Sequence, residues 1–473
     1  MKTNLARLLL YICWCHLAGA TIRYVDVNSA SSAPPFTSWA TAATTIQDAI
    51  DAASAGDEIV VTNGVYATGG RAVHGTMTNR VAVNKPLVLR SVNGPQFTII
   101  QGYQVPGTTN GDGAIRCVYL TNGATLSGFT LTNGATRATN DYVKFRESGG
   151  GGVHCEALQS YLDPPIVVSN CIITGNSAFG PGGGAYGGGV LSAQIVDCEL
   201  RGNTAQFGGG VAEGWIRRCV IVDNAAENGG GASEIYGEAG GFEYYSCKLD
   251  NCLLVGNRAQ FNGGGVYACD LSNCTVAGNS AGQAGGGLYG FFVIQVQSPS
   301  RAINSIVYSN TSPSDANFVD YACNFENSCT TPLPGWGSAN ITNAPSFVDF
   351  VGGNFRLQAD SPGINSGTNH YAPAPFDLDG NPRIRGGTVD MGAYEFQLDQ
   401  PTLHIALSGT NVRLTWPLWA SDFKLRQTTV LPPSPTDWSD SMIPPIVTNN
   451  ENEVFLPIDS ASRLFRLSKP QQP

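Results

Sequence analysis

Beyond residue 20 the chain has no apolar run near the ~18 residues that a helix needs to cross a bilayer, so no transmembrane helix is expected. Charge is scarce: Asp, Glu, Lys and Arg make up 13% of 473 residues, with a net charge of −10 and no basic run. Nucleic acid is therefore not an expected partner, because phosphate binding needs clustered Lys and Arg. The five His show no metal-ligand spacing, and no two Cys form a Cys-x-x-Cys pair. The calcium-binding GGxGxD repeat is missing, so no metal is expected in the repeats that are present. What is plentiful is Gly, 58 residues, about twice ordinary usage. Without a G-X-Y period this excludes collagen and favours many tight turns. The apolar fraction of 42% is enough for a continuous core.

The segment "MKTNLARLLLYICWCHLAGA" has a positive start (Lys2, Arg7), an apolar stretch at 8–17 and a small-residue end, Ala18-Gly19-Ala20. It reads as a cleaved secretory signal over 1–20, which predicts a secreted or outer-surface protein. Removal of Lys2 and Arg7 would take the net charge from −10 to −12. Thirteen Cys fall to eleven after loss of Cys13 and Cys15, an odd number that leaves at least one thiol unpaired.

A repeat accounts for most of the remaining Cys. "NCIITGN" (Cys171), "DCELRGN" (Cys198), "RCVIVDN" (Cys219), "NCLLVGN" (Cys252) and "NCTVAGN" (Cys274) align, and "NSIVYSN" carries Ser305 instead. Each ends in Asn five residues later: Asn176, Asn203, Asn224, Asn257, Asn279 and Asn310. The spacings are 27, 21, 33, 22 and 31, a unit of about 21 lengthened by insertions. Such a unit lacks helical periodicity and is too short for a propeller blade. One turn of a parallel β-helix fits, since stacked coils put small Cys in an inner column and Asn amides in contact above and below. Ser280 sits in a G-x-S-x-G pattern but occupies a turn of this repeat. No helix follows it, as a nucleophile elbow requires.

These "GNSA…GGG" rungs resemble the right-handed parallel β-helix family, which includes pectin-lyase-like proteins and the repeats of chlamydial polymorphic outer-membrane proteins. At the N-terminal end, "TTIQDAIDAASAGDEIVV" predicts a capping helix with Ile46, Ala49, Ile50 and Ala53 on one face, Thr44 or Thr45 as cap and a stop at Gly56. Near the other end, 355–396 resembles the terminal region of bacterial choice-of-anchor Q proteins, with "SPGINSG", "DLDGNPR" and "DMGAYE". Asp377 and Asp379 in "DLDGN" read as a Gly turn with a closing salt bridge to Arg383 or Arg385. Past Pro401 the period-two alternation predicts a small β-sandwich. The expected organisation is signal peptide 1–20, β-helix 21–400 and sandwich 401–473, all-β overall and monomeric.

After each Gly run the first residue should point inward and the next outward. The outward column reads His154, Tyr186, Ala212, Ser233, Tyr267 and Tyr289, with Glu213, Trp215, Glu234 and Tyr236 close by. Aromatic rings along an exposed groove suit sugar faces, and carboxylates suit hydroxyls, so His154, Tyr186, Tyr267, Tyr289, Glu213 and Glu234 are the candidate ligand-binding residues. The alternative is a ladder covered by the loops inserted at 157–165, 235–247 and 291–302. A lyase of this fold would add Ca²⁺, with Glu156, Glu213 and Glu234 as ligands and Lys144, Arg146, His154, Arg217, Arg218 or Lys248 as base. No pectate-lyase signature or hydrolase Asp set is present. Polysaccharide binding without a cofactor is thus the favoured function, with lyase or hydrolase and adhesin as alternatives. Among the cysteines, the five of the repeat should be reduced, Cys247 and Cys269 should form a second column, and Cys323–Cys329 is the expected disulfide.

Overall fold

The computed structural model describes residues 20–141, 145–156, 164–187, 193–235, 247–290, 300–372, 375–385 and 387–397, and, further on, 403–417, 423–430, 433, 437–448, 451–458 and 462–468. The expected signal peptide therefore lies, apart from Ala20, outside the described residues, as does most of each inserted loop. The chain forms two compact units, one ending at Phe396 and the other Gln397–Pro473.

The first unit is a parallel β-helix. Among the described residues its coil strands fall into three long sheets of 12, 10 and 9 strands and a short one of four, parallel throughout except for the edge strand Arg71–Ala72, and Phe347–Asp349 and Asn354–Leu357 form a separate antiparallel pair. One coil shows the path: Gly214–Arg217 in the first sheet, Val220–Val222 in the second, Ala225–Asn228 in the short one and Ala232–Ser233 in the third. The chain then returns to the first sheet at Cys247–Asp250, parallel to Gly214–Arg217. In-register pairing stacks equivalent residues, so Leu200, Ile221, Leu254, Val276 and Val307 form one inner column, all fully buried.

The Asn column is a continuous hydrogen-bonded ladder. The Nδ2 of each donates to the Oδ1 of the next: Asn176 to Asn203 (3.1 Å), Asn203 to Asn224 (3.0 Å), Asn224 to Asn257 (3.0 Å), Asn257 to Asn279 (2.9 Å) and Asn279 to Asn310 (2.9 Å). Each amide also donates to a core-strand carbonyl, as Asn257 does to Ile221 at 2.9 Å. The Gly runs follow from crowding at this corner. A Cβ on Gly264 would meet the Gly286 and Ser280 carbonyl oxygens at 2.4 Å. Ser280 lies in the two-residue strand Ser280–Ala281, paired with Arg258 and Ala259 of the coil before, which makes it a rung of the repeat.

At the N-terminal end the helix Ile46–Ala52 buries Ile46, Ala49 and Ile50 on the open core, and the Thr45 hydroxyl accepts from the Asp48 N–H at 3.2 Å. Its Gln47 side chain receives the Ala82 N–H of the third sheet at 2.8 Å. Towards the other end, 345–396 folds back over the outer face of the second sheet. Phe355, Ala393 and Tyr394 pack on Leu253 and Ala277, while Leu357 and Met391 pack on Ile306 and Cys329. Asp377 in this cover is buried and accepts the Asp379, Asn381 and Glu395 N–H groups. Arg383 is also buried, and its Nη2 donates to Asn273 Oδ1 and the Asp390 carbonyl, both at 3.0 Å. Asp379 of this turn is ion-paired with Arg356.

The cysteines follow the expectation only in part. Cys171, Cys198, Cys219, Cys252 and Cys274 are buried and free, each thiol donating to the carbonyl two residues before it. Cys247 and Cys269 do stack in register, but they are joined by a disulfide with Cα atoms 4.7 Å apart, within the ordinary ~4.4–6.8 Å range. Cys323 and Cys329 are free, which overturns the expected bond. A turn at Asn327 sends Cys323 into the inner core and Cys329 to the outer face under the cover.

The second unit has two antiparallel sheets. One is His404–Ser408, Asn411–Pro417, Glu451–Pro457 and Ile446–Thr448; the other is Ser439–Asp440, Lys424–Thr428 and Leu464–Ser468. Leu414, Trp416, Leu425, Val454 and Leu456 form the core between them. No helix among the described residues is long and apolar enough to cross a membrane.

Candidate functional site

The outward column of the third sheet runs in unbroken register through Ala82, Tyr119, His154, Tyr186, Ala212, Ser233, Tyr267 and Tyr289. Their inward neighbours, such as Val153, Val211 and Val266, belong to the inner core. Alternation thus placed the column, but exposure differs along it. His154 is 0% exposed, and Tyr186 and Glu213 are also buried, so none of the three is the open groove residue expected. Tyr267, Tyr289 and Glu234 are half-buried.

The first half is covered because charged side chains from other coils close over it. Glu156, two residues past His154, accepts at Oε1 from Arg146 Nε (2.8 Å) and at Oε2 from the Tyr119 hydroxyl (2.7 Å), with His74 Nε2 at 2.5 Å. Burial pushes its carboxyl up, but these hydrogen bonds and the charges of His74 and Arg146 outweigh it and hold Glu156 below the usual glutamate value. Beneath, the buried Arg116 donates to the Gly149, Gly150 and Arg146 carbonyls and to Asn79. His154 is stacked 5.9 Å from Tyr119 and lies 5.0 Å from Tyr186. Burial, reinforced by the charge of Arg116, keeps it neutral, well below the ordinary histidine value. Tyr186 packs with Ala212, Ile235, Phe145 and Phe207 in a small outer cluster.

In the middle the ladder gives way to small residues flanked by acids. Burial, then the charges of Glu213 and Asp270, push Glu234 up to about 8. Asp270 is likewise raised by burial. Other candidates face the first sheet and its turns. Trp215 donates to Asp250 and carries Arg217 at 4.3 Å from its ring, while Arg218 forks onto Asp197. Lys248 pairs in register with Trp215 and Asp270. The candidate bases are therefore not gathered at one place; Lys144 and Tyr236 lie outside the described residues.

The last third is the open part. Tyr267 and Tyr289 stack with ring centroids 5.3 Å apart and planes 6° from parallel. Burial, and hydrogen bonding to Tyr321, push Tyr289 up to about 12. Tyr321, 64% exposed, extends the pair outward from the short helix Asp320–Ala322. Sequence reasoning missed Tyr321, His74 and Tyr119. Tyr119 alone left a signal, in the alternation of "IRCVYLT"; the other two come from segments outside the repeat.

A parallel β-helix with an outward ladder of rings and carboxylates is the class that fold and site define. No family model and no curated protein matches the sequence. Among solved structures, a rhamnogalacturonan lyase is similar over 70% of this chain and 91% of its own, at 13% identity and a TM-score of 0.37. A complex of XylC with xylose is similar over 95% and 97%, at 11% identity and a TM-score of 0.33. Neither likeness assigns a site here.

Proposed function

We propose that the protein is exported and monomeric and binds polysaccharide on the open third of the ladder, through Tyr267, Tyr289 and Tyr321 with Glu234 as acceptor. The observation that carries this is the half-exposed stacked pair continuing into an exposed third ring. Because the two stacked rings cover each other's facing sides, a glycan meets their outer edges and the free face of Tyr321, rather than one ring face per sugar. His154, Tyr186 and Glu213, buried on earlier coils, are not part of this surface. No cofactor enters this reading. The motifs at 355–396 fit a choice-of-anchor Q type of surface protein as part of the same proposal. The test is affinity electrophoresis against a polysaccharide panel. Tyr321→Ala and the Tyr267→Ala, Tyr289→Ala pair should each lose binding while melting stays unchanged; retained binding in both refutes the proposal.

One observation favours a second reading, a glycoside hydrolase. A carboxyl held protonated near neutral pH beside other carboxylates, as Glu234 is, has the property a general acid needs. Reducing-end release that disappears in Glu234→Gln would establish it. No release from any substrate on the panel would dismiss it.

A further inference from the structure

The outer face of the second sheet holds a cleft of about 380 Å³ where the cover of residues 345–396 ends. Its floor is made by Ile172, Glu199 and Val220, outward residues of three successive coils in one register. The turn residues Asn170, Asp197 and Arg218 form one side, and Leu378, Asp379 and Tyr394 form the wall. Apolar and polar groups alternate around it, a lining that suits a ring with a hydrophobic face and a hydroxylated rim.

Charge narrows the ligand. Arg218 is forked onto Asp197 at 2.7 Å through both Nε and Nη2. Asp379 is held by Arg356 at 2.6 Å, and that guanidinium lies 4.7 Å from the Tyr394 ring centroid. Glu199 pairs with Arg201 at 3.4 Å. Every charge on the lining thus has its opposite, and a charged ligand would have to break a pair to bind. The spare lone pairs of these carboxylates, with the amides of Asn170 and Gln96, offer short-range acceptors and donors to hydroxyls. The volume sits at the low end of the ~300–1,000 Å³ of small-molecule sites, room for one or two sugar rings.

We infer that this cleft is a second binding site, on a different sheet from the ladder, for one or two residues of a neutral saccharide. It does not rest on the ladder reading. Saturation-transfer NMR and calorimetry on the whole protein test it, with methyl glucoside, methyl galactoside and methyl xyloside against galacturonate. At least one neutral glycoside should bind saturably, and galacturonate about tenfold more weakly or not at all. Ile172→Trp, which puts an indole into the cleft, should abolish binding, and Glu199→Gln should weaken it about tenfold. The Tyr267→Ala, Tyr289→Ala protein should bind these glycosides unchanged, so failure of the cleft and failure of the ladder are read separately. The inference is overturned if no neutral glycoside saturates, if galacturonate binds as well, or if binding survives Ile172→Trp. Should Ile172→Trp lower the melting temperature, Glu199→Gln, at the surface, decides alone.

Discussion

Asn257 makes four hydrogen bonds with its side chain and has no exposure. It donates to the Ile221 carbonyl and to Asn279, and its oxygen accepts both the N–H and the Nδ2 of Asn224. Asn257→Ala removes all four bonds in a dry interior, takes from the Asn224 N–H its acceptor, and should cost at least about 2 kcal/mol, read as a lower urea midpoint. Val266→Asp should be worse, because it places a carboxylate in the fully buried inner column without a partner. Ser280→Ala should leave the melting temperature where it is; a lost esterase activity in that protein would revive the nucleophile that the repeat argues against. Glu234 gives a pH signature. Its ordinary value is 4.5 and its folded value about 8. Below 4.5 both folded and unfolded chains keep the proton, and between the two values only the folded chain does. Stability should therefore fall as pH rises from 4.5 to 8 and level off above. Melting curves at pH 5 and 8 should converge in Glu234→Gln relative to the native protein. Equal pH dependence in the two would contradict the assigned environment.

At the scale of elements, the coil was legible and its coverings were not. The Asn and Cys columns repeat in the sequence because stacking makes the same demand on every coil: a small inner side chain, and an amide that reaches two ways. The outward column was legible for the same reason, through strict alternation after the glycines. Burial of that column was not, because His74, Arg146 and Phe145 reach it from segments with no counterpart in other coils. The disulfide was misjudged because the choice between Cys247–Cys269 and Cys323–Cys329 turns on which side of a strand each sulfur faces. Asn327, in a left-handed conformation, reverses that for Cys329. Peptide mapping without reduction should return Cys247 linked to Cys269, with Cys323 and Cys329 alkylated singly after denaturation; a Cys323–Cys329 peptide would contradict the structure.

At the scale of the molecule, the cover of residues 345–396 is hydrogen-bonded to the coils through Asn251, Asn273, Thr275 and Asn304, and the buried Arg383 reaches Asn273 from the cover side. Arg383→Met keeps the bulk but removes its donors to Asn273 and to the cover's own carbonyls. It should open 375–395 to thermolysin while the coils stay protected, and an unchanged digestion pattern would mean that the remaining contacts hold the cover without it. The Asn ladder carries a different consequence, for length itself. Asp197 and Arg218 occupy the same place in successive coils with nearly the same backbone, φ 55° and 49°. Excising 198–218 and joining Asp197 to Cys219 would bring Asn176 directly onto Asn224, one new ladder bond replacing the two of Asn203 while the rest stay as they are. Coil number is then a quantity that duplication and deletion can change in whole units, as beads are threaded or removed, without redesign on either side of the cut. The shortened protein should keep its far-ultraviolet circular dichroism per residue and lose about 4.8 Å of axial length in solution scattering.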